Sequence, residues 1–301
     1  MAVDFQLIDD YENLLRVCEE LRQFSWLAVD TEFERTNTYY PEFCLLQLAS
    51  PDSTVLIDPV RINNLEPVFA LLYDESIIKV FHSARQDLEI FYHLRGQVPV
   101  PLFDTQLAAP LLGYDESIGY ANLVQTMLGV ELGKSQTRTN WKQRPLRSKQ
   151  LEYAAEDVIY LAKIYELMRD KLAGHISEKL LDQQHEALTR EEIYAPDPAD
   201  LWIKIRAAKS FSGNNLSVLQ QLSTWREETA RRENRPRKWV LSDRAIIDIA
   251  RALPEDMDSL SDIKSVDNKT REAYGEMLLS RIKTGIEQPP LAFPERNSYK
   301  L

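Results

Sequence analysis

The spacing of apolar residues along the chain changes period several times, and each change predicts an element. Between residues 9 and 24, Tyr11, Leu14, Leu15, Cys18 and Leu21 recur at helical spacing. An apolar run then leads through Leu27, Ala28 and Val29 into Asp30-Thr31-Glu32-Phe33, which reads as a strand. Residues 43–49 and 54–58 read as two more strands, and a meander of this kind predicts an antiparallel portion of a sheet. Helical spacing returns over 65–73, followed by a short strand over 77–81 and a helix through Leu88, Phe91 and Leu94. Another short strand over 101–104 precedes a helix over 105–112. From about residue 122 the pattern is helical apart from one basic loop, with its clearest helix over 150–168. Strands alternating with helices after an opening meander predict a mixed-sheet α/β domain.

Pro196 and Pro198 interrupt the helices and mark a boundary region. Beyond them, residues 216–232, 242–252, 260–263 and 270–284 read as a small bundle, the second opening on a Ser242-Asp243 cap. The tail from Gln288 has no period and reads as loose. The organisation expected is therefore an α/β domain over 1–175, a connecting segment over 176–208, an all-α domain over 209–288 and a tail over 289–301.

Composition narrows the class. Of the 301 residues, 44% are hydrophobic and 28% charged, ordinary values for a globular protein. No apolar run approaches the ~20 residues of a membrane-spanning helix. The first residues lack the basic-then-apolar layout of a signal peptide. Cys18 and Cys44 form no metal motif and suit a reducing compartment, so a cytoplasmic protein is expected. The net charge of −11 is unevenly spread. From residue 206 onward there are 17 Lys/Arg against 14 Asp/Glu, and the remainder carries 19 against 33. An acidic module joined to a mildly basic one fits an enzyme that gathers cations and borrows affinity for polyanions elsewhere; two unrelated solvated surfaces would give the same balance.

Candidate chemistry begins at Asp30 and Glu32. Two residues apart on a strand, they point to the same face, where they either stand solvated or share a cation. Asp87 opens a helix six residues after a strand, a place that suits either a cleft residue or an acid favoured by the helix dipole. Tyr153 and Asp157, spaced i and i+4, lie on one helix face. Taken together, the four carboxylates form an oxygen-rich set suited to Mg²⁺ or Mn²⁺. Two such ions ~3.5–4 Å apart can activate water and stabilise the leaving oxygen of a phosphodiester. A tyrosine beside them is better placed to orient the water than to act as base, since its pKa lies near 10.

Asp30-Thr31-Glu32, Asp87 and Tyr153-x-x-x-Asp157 resemble, in order and context, the three exonuclease motifs of the tyrosine-bearing branch of the DEDD superfamily. Thr38-Tyr39-Tyr40-Pro41, Leu46-Gln47-Leu48, His82-Ser83-Ala84, Phe103-Asp104-Thr105-Gln106 and Arg144-Pro145-Leu146 make residues 5–175 similar to the ribonuclease D family. Residues 209–288, with Trp225-Arg226 and Arg235-Pro236-Arg237-Lys238-Trp239, resemble the HRDC domain of that family and of RecQ-type helicases. The resemblance implies a ribonuclease H-like mixed-sheet exonuclease domain followed by a small all-α HRDC domain. It implies hydrolytic 3′-to-5′ removal of nucleotides, as in the maturation of transfer RNA 3′ ends. Asp30, Glu32, Asp87 and Asp157 would be ligands of two divalent ions, and Tyr153 would orient the attacking water. RNA with an accessible 3′ end, transfer RNA precursors included, would be the partner, with no membrane and no small-molecule organic cofactor. Family members often carry a second HRDC domain, for which this chain ends too soon.

Several residues are expected to meet substrate. Phe33, Tyr39 and Tyr40 follow the first motif and would wedge against the terminal base or simply pack. His82 would line the cleft, while Asp104 would cap the helix that begins at Thr105. The acid-free stretch 133–150 holds Lys134, Arg138, Lys142, Arg144, Arg147 and Lys149 around Trp141. It is the best candidate for gripping phosphates, with Trp141 stacking on a base. The family pattern places an Asp before this Trp, where this chain has Asn140. Two other functions compete: trimming of DNA, as in HRDC-bearing helicase relatives, and a non-enzymatic binding protein, which would usually have lost one of the acids.

Overall fold

The computed structural model describes residues 3–133, 139–173 and 178–294. It divides into two units, one comprising 1–34 and 41–190, the other 35–40 and 191–301. Among the described residues the first unit contains a six-stranded sheet of β1 (Gln6–Ile8), β2 (Trp26–Glu34), β3 (Glu42–Ala49), β4 (Thr54–Ile57), β5 (Ile78–Phe81) and β6 (Leu102–Asp104). Their order in space is β1-β4-β3-β2-β5-β6. β3 runs antiparallel to β2 and β4, which is the expected meander, and the remaining pairs are parallel. The three-residue β1, at one edge of the sheet, has no counterpart in the sequence reading.

Around the sheet lie α1 (Tyr11–Leu21), α2 (Glu66–Leu72), α3 (Arg85–Arg95), α4 (Thr105–Ala108), α5 (Tyr120–Leu128), α6 (Ser148–Leu172) and α7 (Glu178–Leu188). α1 forms where Asp10 accepts the Asn13 amide at 2.9 Å and Leu14, Val17, Cys18 and Leu21 share one buried face. β2 is central, so its first residues, Trp26 to Val29, are apolar toward both faces. Trp26 and Ala28 pack with Val158, Leu161, Ala162 and Tyr165 of α6. Lys79 in β5 is fully buried, and its ammonium donates to the carbonyls of Asp74, Ile77 and Val100 at 2.9, 2.6 and 2.6 Å. Three carbonyl acceptors replace the hydration this charge loses.

One irregularity bears on the site. The β2–β3 register shifts between Glu32, which faces Leu45, and Phe33, which faces Phe43. Cys44 is the additional residue, and a bulge of this kind re-aims neighbouring side chains.

The second unit is helical: α8 (Gly213–Arg232), α9 (Arg237–Val240), α10 (Asp243–Ala252), α11 (Met257–Ser261) and α12 (Asn268–Glu287). Its core joins Trp202, Phe211, Leu219, Trp225, Ile246, Ile249, Leu278 and Ile282. α8 and α12 approach closely at Gly285, where any Cβ would fall 2.7 Å from Val218 Cα. The expected connecting segment is shared between the two units. α7 belongs to the first, where His185 Nε2 accepts the Asp104 amide at 2.9 Å. The proline-bearing segment belongs to the second, because Trp202, Ile205 and Phe211 supply apolar surface to its core. The tail, where described, packs instead of trailing: Leu291 accepts the Gly213 amide at 2.8 Å and Phe293 meets Trp202. Among the described residues, no helix is long and apolar enough to cross a membrane.

Candidate active site

The even-numbered face of β2 dictates where the acids meet. Trp26 and Ala28 on that face lie under α6, so Asp30 and Glu32 further along it point toward an earlier turn of the same helix. That turn carries Asp157, and Tyr153 lies one turn before it. Carboxylate oxygens of Asp30, Glu32 and Asp157 all lie within 4.8 Å of one another. They line a cleft of about 280 Å³ together with Thr31, Phe33, His82, Ser83, Gln86, Asp87, Tyr120, Tyr153 and Leu161.

Asp87 reaches the cleft from the first turn of α3. It stands outside the tight group of three, and its Oδ1 accepts the Thr31 hydroxyl at 2.5 Å. The approach to α3 is held by Asp104, which caps α4 as expected through the Gln106 amide at 2.8 Å. The same carboxylate also accepts the amides of Ser83 and Ala84, at 2.9 and 2.8 Å. Ser83 takes a positive φ of 60° in this turn, a conformation that the Asp104 contact helps to hold.

Among the described residues no lysine or arginine lines the cleft, and the acids bear the cost. Burial pushes Asp30 up to about 7. Glu32 is pushed to about 10, by burial first and then by the charges of Asp30, Asp157, Asp87 and Glu34. Asp87 and Asp157 rise through burial and the Asp30 charge, opposed by hydrogen bonds from Thr31 and Tyr153 respectively. An oxygen-only donor set of mutually repelling carboxylates fits hard divalent cations, which would relieve both burial and repulsion.

His82 Nδ1 shares a hydrogen bond of 2.9 Å with Thr105 Oγ1, which also lies 3.1 Å from the Phe81 carbonyl. Burial favours the neutral imidazole. Tyr120, absent from the sequence reading, donates its hydroxyl to the Asp157 carbonyl. It falls outside every sequence motif, and only the close approach of α5 to α6 reveals it.

The other expected substrate contacts divide. Phe33 lines the cleft, whereas Tyr39 and Tyr40 do not. Tyr39 is buried in the second unit, its hydroxyl donated to Glu227 and its ring approached by Arg35, Arg231 and Arg237. Tyr40 packs on the same core. Trp141 is 2% exposed among Cys44, Leu45, Leu56, Ala154 and Ala155, so it has no face to offer a base. Arg144 spends all five of its donors inside the protein, on Asp58 and three backbone carbonyls, and has none left for phosphate. Both departures have one cause: the Trp141 indole and the Arg144 guanidinium are turned into the protein. Lys134 and Arg138 lie outside the described residues.

Comparison with known proteins agrees with this geometry. A family profile described as 3′–5′ exonuclease matches residues 5–173, and one described as HRDC domain matches residues 215–282. Ribonuclease D of Bartonella henselae is 38% identical over 284 residues, covering 94% of this chain and 70% of that protein. The crystal structure of Escherichia coli RNase D, an exoribonuclease involved in structured RNA processing, matches with a TM-score of 0.88 at 33% identity. That match covers 95% of this chain and 76% of the other. Brucella melitensis NrnC with bound Mg²⁺ matches with a TM-score of 0.53 at 26% identity, over 67% of this chain and 96% of its own.

Proposed function

This chain belongs to the ribonuclease D family, and on that premise we propose that the 3′–5′ exoribonuclease works by two-metal hydrolysis, with transfer RNA precursors among its substrates. The observation that carries the mechanism is the convergence of Asp30, Glu32, Asp87 and Asp157 on one cleft, with no lysine or arginine among the described residues of its lining. These four residues would hold two Mg²⁺ or Mn²⁺ ions, which when bound supply charge neutralisation and a water of lowered pKa. The Mg²⁺ bound by NrnC supports the choice of metal.

The chain's own groups do the positioning. Tyr153 hydrogen-bonds Asp157 and is one turn from it, so its hydroxyl is poised to orient the attacking water. Thr31 fixes the Asp87 carboxylate, and Tyr120 holds the main chain of α6 at Asp157. Phe33, His82, Ser83 and Gln86 form the wall against which a terminal nucleotide would rest. A base-paired end would have to fray before it could enter so small a cleft, so single-stranded 3′ ends are the substrate. Selection is by shape and end accessibility, not by sequence.

The test uses end-labelled transfer RNA precursors with 3′ extensions, matched DNA ends, and Mg²⁺ or chelator. Stepwise mononucleotide release from the RNA, abolished by chelator, is expected. Trimming that persists in chelator would overturn the metal mechanism, and preference for the DNA end would make this a DNA exonuclease.

A further inference from the structure

The loop that sequence reading assigns to RNA is tied to its own unit, over its described residues, by charged side chains. Arg144 and Asp58 form a bidentate pair, Nε to Oδ2 at 2.5 Å and Nη2 to Oδ1 at 2.7 Å, with side chains 14% and 3% exposed. Arg144 Nη2 also donates to the Cys44 carbonyl at 2.6 Å, so the guanidinium reaches the bulge in β3. Its Nη1 donates to the carbonyls of Trp141 and Gln143 at 2.6 and 3.0 Å. Asp58, just past β4, is tied down in turn, accepting the Val60 amide at 3.0 Å.

Trp141 is thereby held at both main-chain groups by charged side chains. Its carbonyl goes to Arg144, and its amide donates to Glu34 Oε1 at 3.1 Å, two residues beyond Glu32. Its own Nε1 is buried without a hydrogen-bond partner, so the backbone and packing set the position of the indole. That indole lies 6.3 Å from the Tyr153 ring, at 38° to it. The same loop meets the first turn of α6 through Gln150, which accepts the Arg147 amide at 3.1 Å and donates to the Asn140 carbonyl at 3.4 Å.

We propose that Arg144 and Asp58 are positioning residues for the trimming reaction: by fixing loop 139–147 they seat Trp141 against Tyr153 and set where its hydroxyl points in the cleft. Helix α6 fixes the Cα of Tyr153, and the hydrogen bond to Asp157 engages its hydroxyl. Trp141, in ring contact with the phenol, adds a support for its direction. A guanidinium suits the task because its planar fork can serve a carboxylate and three carbonyls at once, which an ammonium cannot.

The inference rests on the exonuclease reading, and the test separates the two. Full-length parent, Arg144→Lys and Asp58→Asn are compared on a single-stranded RNA, each alone and combined with Tyr153→Phe. Loss of chelator-sensitive trimming by the parent would sink the function itself. With the parent active, Arg144→Lys should lower kcat about 10- to 100-fold while KM and Mn²⁺ affinity hold. In the Tyr153→Phe background the further loss should stay within about 2-fold, because the group being positioned is gone. Equal losses in both backgrounds, unchanged kcat, or a raised KM with kcat intact would overturn the proposal; the last would make Arg144 a phosphate ligand. Should Arg144→Lys fail to fold, Asp58→Asn, which keeps the side chain's size, carries the same comparison.

Discussion

Glu227 on α8 and the carboxylates of the cleft are acids withdrawn from water in opposite company. Glu227 is 1% exposed, pairs with Arg231 at 3.1 Å and Arg237 at 3.0 Å, and accepts the Tyr39 hydroxyl. Asn234 completes the surround by accepting the amides of Tyr39 and Tyr40, both at 3.0 Å. In the cleft, Asp30, Glu32, Asp87 and Asp157 face one another and accept hydroxyls of Thr31 and Tyr153, and no lysine or arginine stands among the described residues of the lining. A buried charge that is matched serves the fold; a group of buried like charges is a cost that only a function explains.

Removing one acid from each place should give opposite results. Asp157→Asn should reduce RNA trimming on the order of 10³-fold or more, the loss of several kcal/mol of charge stabilisation. In chelator the same variant should melt at or above the parent's temperature, because it removes repulsion. A clear drop in melting temperature would show that Asp157 is structural. Glu227→Ala, by contrast, should cost the second unit about 3 kcal/mol, the low end for a broken buried pair, because Arg237 still reaches solvent. Chemical denaturation measures it, and an unchanged midpoint would erase the contrast.

The smallest effect concerns pH. The cleft acids hold protons in the folded state that the unfolded chain releases: Asp30 keeps its own to about 7, against an ordinary value of 3.8. Between about pH 4 and pH 7 the folded state therefore binds more protons, and in chelator stability falls as pH rises. Added Mn²⁺ should raise the melting temperature more at pH 8 than at pH 5, since it competes with protons for the same oxygens. A shift that is equal at both values would place the metal elsewhere.

The acids were legible because each sits in a strongly patterned element. Asp30 and Glu32 end an apolar strand, and Tyr153 and Asp157 share one face of a long helix. Asp104 as a helix cap was equally readable, since capping is a local matter. Within the basic loop, Arg144 misled for the same reason that it looked informative. A run of Lys and Arg without acids resembles a phosphate grip, yet the acid that claims Arg144 stands 86 positions away, at the end of β4. Tyr39 misled likewise: adjacent in sequence to the first motif, it belongs to the core of the other unit.

Sequence alone thus determined the alternation of elements, the chemistry of the donor set and the family, because these depend on local period and on residue type at short spacing. Tertiary structure decided which charges are available. An arginine binds phosphate only if its donors are free, and an acid gathers metal only if no cation reaches it first. Both conditions are settled by residues brought from distant elements, through register, bulge and packing, that leave no trace in the order of the chain.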